Sequence, residues 1–178
     1  MLIPGISFVL ENTGFVDKTW FKAEHADRGK AVHAACLYLM EGKLDWATVH
    51  DSIRPRVEGF QAFLEKFRPE IVLAETPLYS QTRLFAGIPD LALKMLGGIY
   101  CNDIKSGKSG LAAKLQTAAQ KILLEENGYG PIDHRYALEL PAEGGYKMVH
   151  HFDRGDEPMF LNALAMIKRR INEKELAL

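Results

Sequence analysis

Apolar residues recur at helical spacing in several parts of the chain, and glycine or charged residues follow where that spacing stops. Val32 and Leu39 lie on one such stripe, which Asp27 precedes as a candidate N-cap. Ser109 precedes another stripe in the same way. This reasoning predicts helices over 27–41, 46–66, 109–127 and 158–176. Pro55 is a weak point of the second helix, because proline lacks the amide hydrogen that a helix interior uses.

Short runs of β-branched and apolar residues, separated by glycine and proline, predict five strands. These runs cover 70–75, 85–93, 98–104, 135–140 and 146–150. The second and third runs are joined by 94–98, where a pair of glycines is typical of a β-hairpin turn. Because groups of helices and strands alternate along the chain, we expect an α/β fold with a central mixed β-sheet flanked by helices.

The composition is that of an ordinary globular protein, with 47% hydrophobic and 25% charged residues among 178. A chain of this length fits one domain over residues 1–178 and can bury a sizeable core. The 22 basic and 23 acidic side chains give a net charge of −1, so no overall field favours a nucleic acid or a membrane surface. A site for a polyanion therefore has to be a local patch.

Cysteine content and hydropathy indicate the compartment. The two cysteines, Cys36 and Cys101, cannot provide four thiolates, so we expect no iron–sulfur cluster, and nothing requires an oxidising compartment. No run approaches about 18 apolar residues, and the first residues lack the basic start of a signal peptide. We therefore expect a cytoplasmic protein without a membrane partner.

The segment that carries candidate chemistry joins Gly87-Ile-Pro-Asp90 to Asp103-Ile-Lys105 across twelve intervening residues. Alternate residues of a strand share one face, so Asp103 and Lys105 point the same way while Ile104 points into the core. If the predicted hairpin forms, Asp90 comes up beside Asp103, and two carboxylates and an ammonium converge. Such oxygens suit Mg²⁺ or Mn²⁺, and the lysine can orient a metal-bound water or neutralise charge on a phosphate. An isolated Asp-x-Lys, however, is common and usually belongs to a solvated hairpin.

A longer set of motifs surrounds this segment. In order along the chain they are Gly29 to His33, Ala74-Glu75, Gly87 to Asp90, Asp103 to Lys108, and Leu115 to Gln120. Over about 90 residues, half the chain, their order and spacing resemble the PD-(D/E)XK nuclease superfamily, and more specifically its RecB-like and phage-type exonuclease branch. The resemblance implies a restriction-endonuclease-like core, with the mixed sheet predicted above.

The resemblance also implies roles for individual residues. Asp90 and Asp103 correspond to the carboxylates that bind Mg²⁺ or Mn²⁺, and the main-chain carbonyl of Ile104 to a further ligand. Lys105 corresponds to the catalytic lysine. His33, taken alone, borders an apolar stripe and is typical of a packed histidine. Its place in the family's G-x-x-x-H motif implies instead an extra metal ligand.

Two further positions of the family lie before and after the central segment. Glu75 matches an upstream glutamate that either contacts the metal through water or pairs with a lysine, and both roles stay open. Gln116 matches the glutamine of the family's Q-x-x-x-Y motif, on the substrate side, and Gln120 stands where that motif has tyrosine. Both Glu75 and Gln116 are expected to assist catalysis. Residues four apart share a helix face, so both glutamines are expected to face DNA.

Local charge is consistent with DNA as the partner. Lys105, Lys108, Lys114 and Lys121 surround the predicted site and the helix after it, and 168–170 adds a second basic run. An ordinary solvated helix face explains Lys121 and the second run equally well. Lysines that hold phosphates bind DNA of any sequence, with an affinity that falls as salt rises.

The function expected from these residues is a divalent-metal-dependent exonuclease that degrades linear DNA from its ends in recombination, repair or replication. It would act as a homo-oligomer or beside a single-strand-annealing protein, if it has such partners. A structure-specific endonuclease and a non-catalytic DNA-end-binding module are the alternatives. A nucleotide-binding P-loop is disfavoured, because Gly107-Lys108-Ser109 repeats the end of that motif but Asn102 stands where its first glycine belongs.

Overall fold

A computed structural model describes residues 3–16 and 23–178 as an α/β fold, with a five-stranded sheet between two layers of helices. The helices are α1 (Ile6–Asn12), α2 (Ala23–Met40), α3 (Arg54–Phe67), α4 (Leu111–Glu126) and α5 (Asp156–Asn172), with a 3-10 turn at Trp46–Thr48. The strands are β1 (Glu70–Ala74), β2 (Leu78–Ser80), β3 (Phe85–Gly87), β4 (Leu91–Met95), β5 (Gly98–Lys105), β6 (His134–Glu139) and β7 (Lys147–His150). The predicted α/β class is confirmed.

The central sheet has the strand order β1-β4-β5-β6-β7. β5 and β6 run parallel and the other neighbouring pairs are antiparallel, so the sheet is mixed, as the sequence predicts. A parallel pair needs a crossover connection, which α4 provides by packing over β5 and β6. β2 and β3 form a separate two-stranded ribbon beside α4.

Each face of the sheet has its own apolar core. α2 and α3 cover one face, where Val32 and Phe60 are fully buried. α1, α4 and α5 cover the other, where Leu123 is fully buried. Strand alternation decides which core a residue joins, so Ile104 of β5 packs against α2 and α3 while Cys101 packs against α4.

The β4–β5 hairpin forms where the sequence predicts it. Met95 pairs with Gly98, which leaves Leu96 and Gly97 as a two-residue loop with φ values of 49° and 84°. Positive φ at both positions is typical of a type I′ turn, whose twist matches that of the flanking strands. Glycine adopts such a φ without strain, and this turn sets the register of both strands.

Two predicted elements are each divided, and proline explains both divisions. In place of the helix expected over 46–66, the structure has the 3-10 turn at Trp46–Thr48 and, after a break, α3. Pro55 lies in the first turn of α3, where no amide hydrogen is needed. The strand expected over 85–93 is split into β3 and β4, because Pro89 lies between them and cannot donate to a sheet ladder. The break places Asp90 immediately before β4 rather than inside a strand.

The helix ends also differ from the predictions. Asp27 lies inside α2, which begins before it, so its predicted capping role is wrong. Ser109 is not the N-cap of α4, since Gly110 occupies that position. The sequence pattern does not predict α1, whose 7 residues are too few to show a period, or the three-residue β2. In the part of the chain that the structure describes, none of the helices is long and apolar enough to cross a bilayer.

Candidate active site

The β4–β5 register brings two carboxylates together at one end of the hairpin. Leu91 pairs with Asn102. Asp90, the residue before Leu91, therefore faces Asp103, the residue after Asn102. The main-chain amide of Ile104 donates a hydrogen bond of 2.7 Å to Asp90 Oδ2. Both carboxylates are buried, and Asp103 is buried completely. The hairpin thus places the two side chains as the sequence predicts.

Lys105 joins this pair from the same strand. Its Nζ lies 2.6 Å from Asp103 Oδ2 and donates a hydrogen bond of 3.0 Å to Gln116 Oε1 on α4. Asp103 and Lys105 therefore share the α4 side of the sheet, as strand alternation requires. Gln116 contacts the lysine instead of standing free on a solvated helix face.

Burial and mutual repulsion perturb the charges of this cluster. Burial, and next the neighbouring Asp103, raise the pKa of Asp90 well above the usual range of an aspartate. Burial alone would lower the pKa of Lys105, but the contact with Asp103 outweighs it, and the pKa is raised. When both carboxylates are ionised, one ammonium does not balance them, so the cluster favours a further cation.

His33 reaches the same end of the sheet from α2. Its Nε2 lies 2.8 Å from the main-chain oxygen of Ile104, to which only an N–H can donate. In the neutral ring this contact assigns the proton to Nε2 and leaves the lone pair on Nδ1. Nδ1 lies 3.7 Å from both Asp90 Oδ2 and Glu75 Oε1. An imidazole nitrogen and two carboxylates therefore face a common point.

The donor atoms at this point fit a hard divalent cation. Mg²⁺ and Mn²⁺ take carboxylate oxygens first. Asp103 Oδ2 is buried and, although it is ion-paired with Lys105, accepts no hydrogen bond of good geometry from the described residues. That oxygen has a lone pair left for a cation. Asp90 and Asp103 could hold the ion, with Glu75 and His33 beside them.

The side chains would have to close in around such an ion. Among the described residues, no three His, Cys, Asp or Glu side chains already stand close enough together to enclose a metal. The Ile104 carbonyl, the further ligand that the resemblance implies, accepts the His33 hydrogen bond in this structure. It could reach a cation through its second lone pair.

Two residues that the sequence motifs do not single out fix the loop after β5. Glu139, at the end of β6, accepts hydrogen bonds of 2.6 Å from both the amide and the hydroxyl of Ser109. Although burial raises the pKa of Glu139, these bonds lower it overall. Arg56 of α3 donates to the Ser106 carbonyl at 3.1 Å. A charged residue at the end of an apolar strand was the only sequence signal for Glu139.

A cavity of about 450 Å³ opens beside Lys105, between this loop, α1 and α4. Its lining includes Arg28, Lys108 and Gln116. The cavity therefore brings together three cationic side chains, those of Arg28, Lys105 and Lys108, and the carboxylate of Glu11. Lys108 lines this cavity, and its contact with DNA stays a prediction.

The other predicted lysines lie apart from this cavity. Lys114 is exposed on α4 and is not among the residues that line it. Lys121 forms ion pairs with Glu125 at 2.8 Å and with Glu157 at 3.0 Å. These pairs favour the solvated-face interpretation for Lys121. The DNA contact of Lys114 stays a prediction.

Gln120 is buried, which overturns its predicted contact with DNA. Its side chain is 1% exposed and spans two residues of β5. Nε2 lies 3.5 Å from Asp103 Oδ1, and Oε1 accepts from Cys101 Sγ at 3.5 Å. Gln116 and Gln120 do share a helix face, but this face is turned towards β5. Gln120 therefore supports Asp103 from the α4 side of the sheet.

Tyrosine at position 120, the residue of the family motif, is expected to destabilise this chain by about 1–3 kcal/mol, because it overfills a packed site and removes a buried amide. Urea unfolding of Gln120→Tyr measures the change. Lys114→Tyr, an exposed position of the same helix, is the control and is expected to shift stability by no more than about 0.5 kcal/mol. Equal stability of the two variants would contradict the buried placement of Gln120.

Comparisons with known proteins bear on the fold. No family model matches the sequence, and no curated protein matches it. Among solved structures, the chain is similar to a protein from Eubacterium rectale that carries a provisional name as an exonuclease. The two share 11% identity with a TM-score of 0.54, over 95% of this chain and 74% of the other. The likeness is one of fold, and it agrees with the α/β fold with a central mixed sheet that the sequence predicts.

Proposed function

We propose that this protein is a divalent-metal-dependent deoxyribonuclease of the PD-(D/E)XK type that degrades linear DNA from its ends. The proposal is carried by one observation, the convergence of Asp90, Asp103 and Lys105 at the end of the β4–β5 hairpin. His33 and Glu75 face the same point. Mg²⁺ or Mn²⁺ bound there would provide the Lewis acid that phosphodiester hydrolysis needs.

The residues around the carboxylates have separate tasks in this proposal. Lys105, which Asp103 keeps as an ammonium, places a positive charge where charge develops on the phosphate. Gln116 accepts a hydrogen bond from Lys105 and holds its Nζ at the edge of the cavity. His33 bonds the Ile104 carbonyl and so fixes the strand end that carries the reactive groups.

The surroundings favour a nucleic acid strand that is digested from an end. Arg28 and Lys108 line the cavity beside Lys105, and such cations hold a phosphate backbone whatever its sequence. Sequence-specific cleavage needs several side chains on base edges. The connections next to the carboxylates, 88–90 and 106–110, are short, and they offer few side chains for that purpose.

The test is digestion of end-labelled linear DNA beside a covalently closed circle of the same sequence. In Mg²⁺ or Mn²⁺ the linear DNA is expected to shorten to small products with little sequence preference, while the circle survives. EDTA is expected to stop the reaction, because the carboxylates then lack their cation.

Three other results of this digestion would each contradict part of the proposal. Discrete fragments from the closed circle would establish an endonuclease on the same fold. Binding of linear DNA without any digestion in either metal would favour a DNA-end-binding module. Full digestion in EDTA would remove the metal from the proposal.

A further inference from the structure

The exposed side of α2 carries a second open cavity, of about 480 Å³, next to the candidate active site. His33 and Glu75, which face the buried carboxylates, form one wall. Lys30, Ala34 and Tyr38 of α2 line the cavity as well. A strand that reached the carboxylates from this side would therefore have to pass along α2.

Lys30, Ala34 and Tyr38 form one row along the helix. They are spaced four residues apart, so they share a face and span about 12 Å from first to last at 1.5 Å per residue. Ala34 leaves the middle of the row shallow. The cation and the aromatic ring thus stand at the two ends of an open trough.

Tyr38 is available for a ligand. Its side chain is 53% exposed, although a tyrosine ring is largely apolar. Within the ranges that the structure describes, neither the Tyr38 side chain nor the Lys30 ammonium has a hydrogen-bond or ion-pair partner. Single exposed aromatic residues are ordinary on protein surfaces, but this ring stands in a cavity that shares two residues with the reactive site.

We infer that this cavity is a subsite for an unpaired nucleobase, which stacks on Tyr38 while Lys30 holds a neighbouring phosphate of the same strand. Aromatic rings beside a cation are the features by which proteins hold single-stranded nucleic acid without reading its sequence. Inside a duplex the stacked neighbours cover both faces of a base, so a base within the strand has to leave the duplex before it can stack on Tyr38. The inference rests on the proposed function and adds that the DNA enters the site as a single strand or a frayed end.

Steady-state digestion of a single-stranded oligonucleotide tests the subsite. Tyr38→Ala is expected to raise KM about tenfold with little change in kcat, because base–aromatic stacking contributes to binding and the reactive groups are untouched. Tyr38→Phe keeps the ring and is expected to stay near wild type. Lys30→Ala is expected to raise KM and to flatten the salt dependence of binding.

Tyr79→Ala is the matched control, because Tyr79 is 50% exposed. Its main-chain oxygen accepts a hydrogen bond from Asn127, beyond the end of α4, eleven residues from Gln116. That variant is expected to keep the wild-type KM. A duplex oligonucleotide with blunt ends should show a smaller effect of Tyr38→Ala than the single strand does.

Fluorescence reports the stacking itself, and a kcat of Tyr38→Ala near that of wild type shows that the variant is folded. In Ca²⁺, 2-aminopurine placed at successive positions of the oligonucleotide is expected to be quenched at one position by wild type and Tyr38→Phe, and at none by Tyr38→Ala. Wild-type KM and quenching in Tyr38→Ala, with wild type digesting DNA, would overturn the subsite and leave the proposed function standing. Failure of wild type to digest any DNA would overturn the proposed function itself.

Discussion

Asparagine in place of Asp90 is expected to slow DNA hydrolysis in Mg²⁺ by about a thousandfold or more, because a metal ligand contributes several kcal/mol of charge stabilisation. The asparagine oxygen can still accept the Ile104 amide, so the hairpin register should survive. The folded protein raises the pKa of Asp90, through burial and through Asp103, so the ionised carboxylate destabilises the metal-free fold near pH 7. Asp90→Asn removes that charge and should unfold at the same temperature as wild type or a higher one.

Asp133 provides the matched control for this substitution. Its Oδ2 accepts the amide of Ile99 at 2.8 Å, near the opposite end of β5 from the amide that Asp90 binds. Asp133→Asn changes a similar carboxylate–amide contact and is expected to keep activity within about twofold of wild type. Initial rates on labelled linear DNA over a Mg²⁺ titration measure both variants. Equal losses in the two, or full activity of Asp90→Asn, would remove Asp90 from the metal site.

The hairpin was the most predictable part of the fold, because its signals are local. The glycine pair at its turn and the alternation of β5 are both readable in sequence, and together they set which residues face each other. The convergence of Asp90 and Asp103 follows from that register alone. The sequence could not show how deeply the pair is buried, since burial depends on α4 and α2, which are distant in the chain.

The predictions of secondary structure were wrong where one local sequence signal is compatible with two structures. Pro55 is compatible with a weak point inside a long helix and equally with the first turn of a shorter one. Tertiary packing decides between these two structures. Asp27 reads as an N-cap, but α2 starts before it. A short helix such as α1 has too few residues to show a period and is stabilised by the core that it packs on.

At the site, motifs located the charged residues but not their supports. Gln116 and Gln120 have the same spacing that places them on one face, yet only the structure shows that Gln116 reaches Lys105 while Gln120 lies buried against Asp103. Arg56, which holds the loop after β5, carries no motif signal, because its contact joins distant parts of the chain. Sequence periodicity predicts which residues share a helix face. It does not predict which distant part of the chain that face contacts.

Methionine in place of Lys105 is expected to abolish DNA hydrolysis while binding of linear DNA in Ca²⁺ stays within about tenfold of wild type. Methionine keeps the unbranched stem and removes the ammonium that lies 2.6 Å from Asp103. The charge on the phosphate then develops without a counter-charge from the chain. Binding persists because Arg28 and Lys108 still line the cavity beside the site, and Ca²⁺ can balance the carboxylates.

Lys121→Met is the matched control, because it removes a lysine that does not contact Asp90 or Asp103. The pKa of Lys121 is also raised, since its hydrogen bonds to Glu125 and Glu157 outweigh burial, and it lies on the helix that carries Gln116. Its partners are surface carboxylates that no cation at the site would share, so the variant should hydrolyse DNA at a rate close to wild type. Single-turnover digestion in Mg²⁺ and filter binding in Ca²⁺ measure the two properties. Residual hydrolysis by Lys105→Met at a tenth of the wild-type rate or more would mean that the carboxylates and their cation carry the reaction without the lysine.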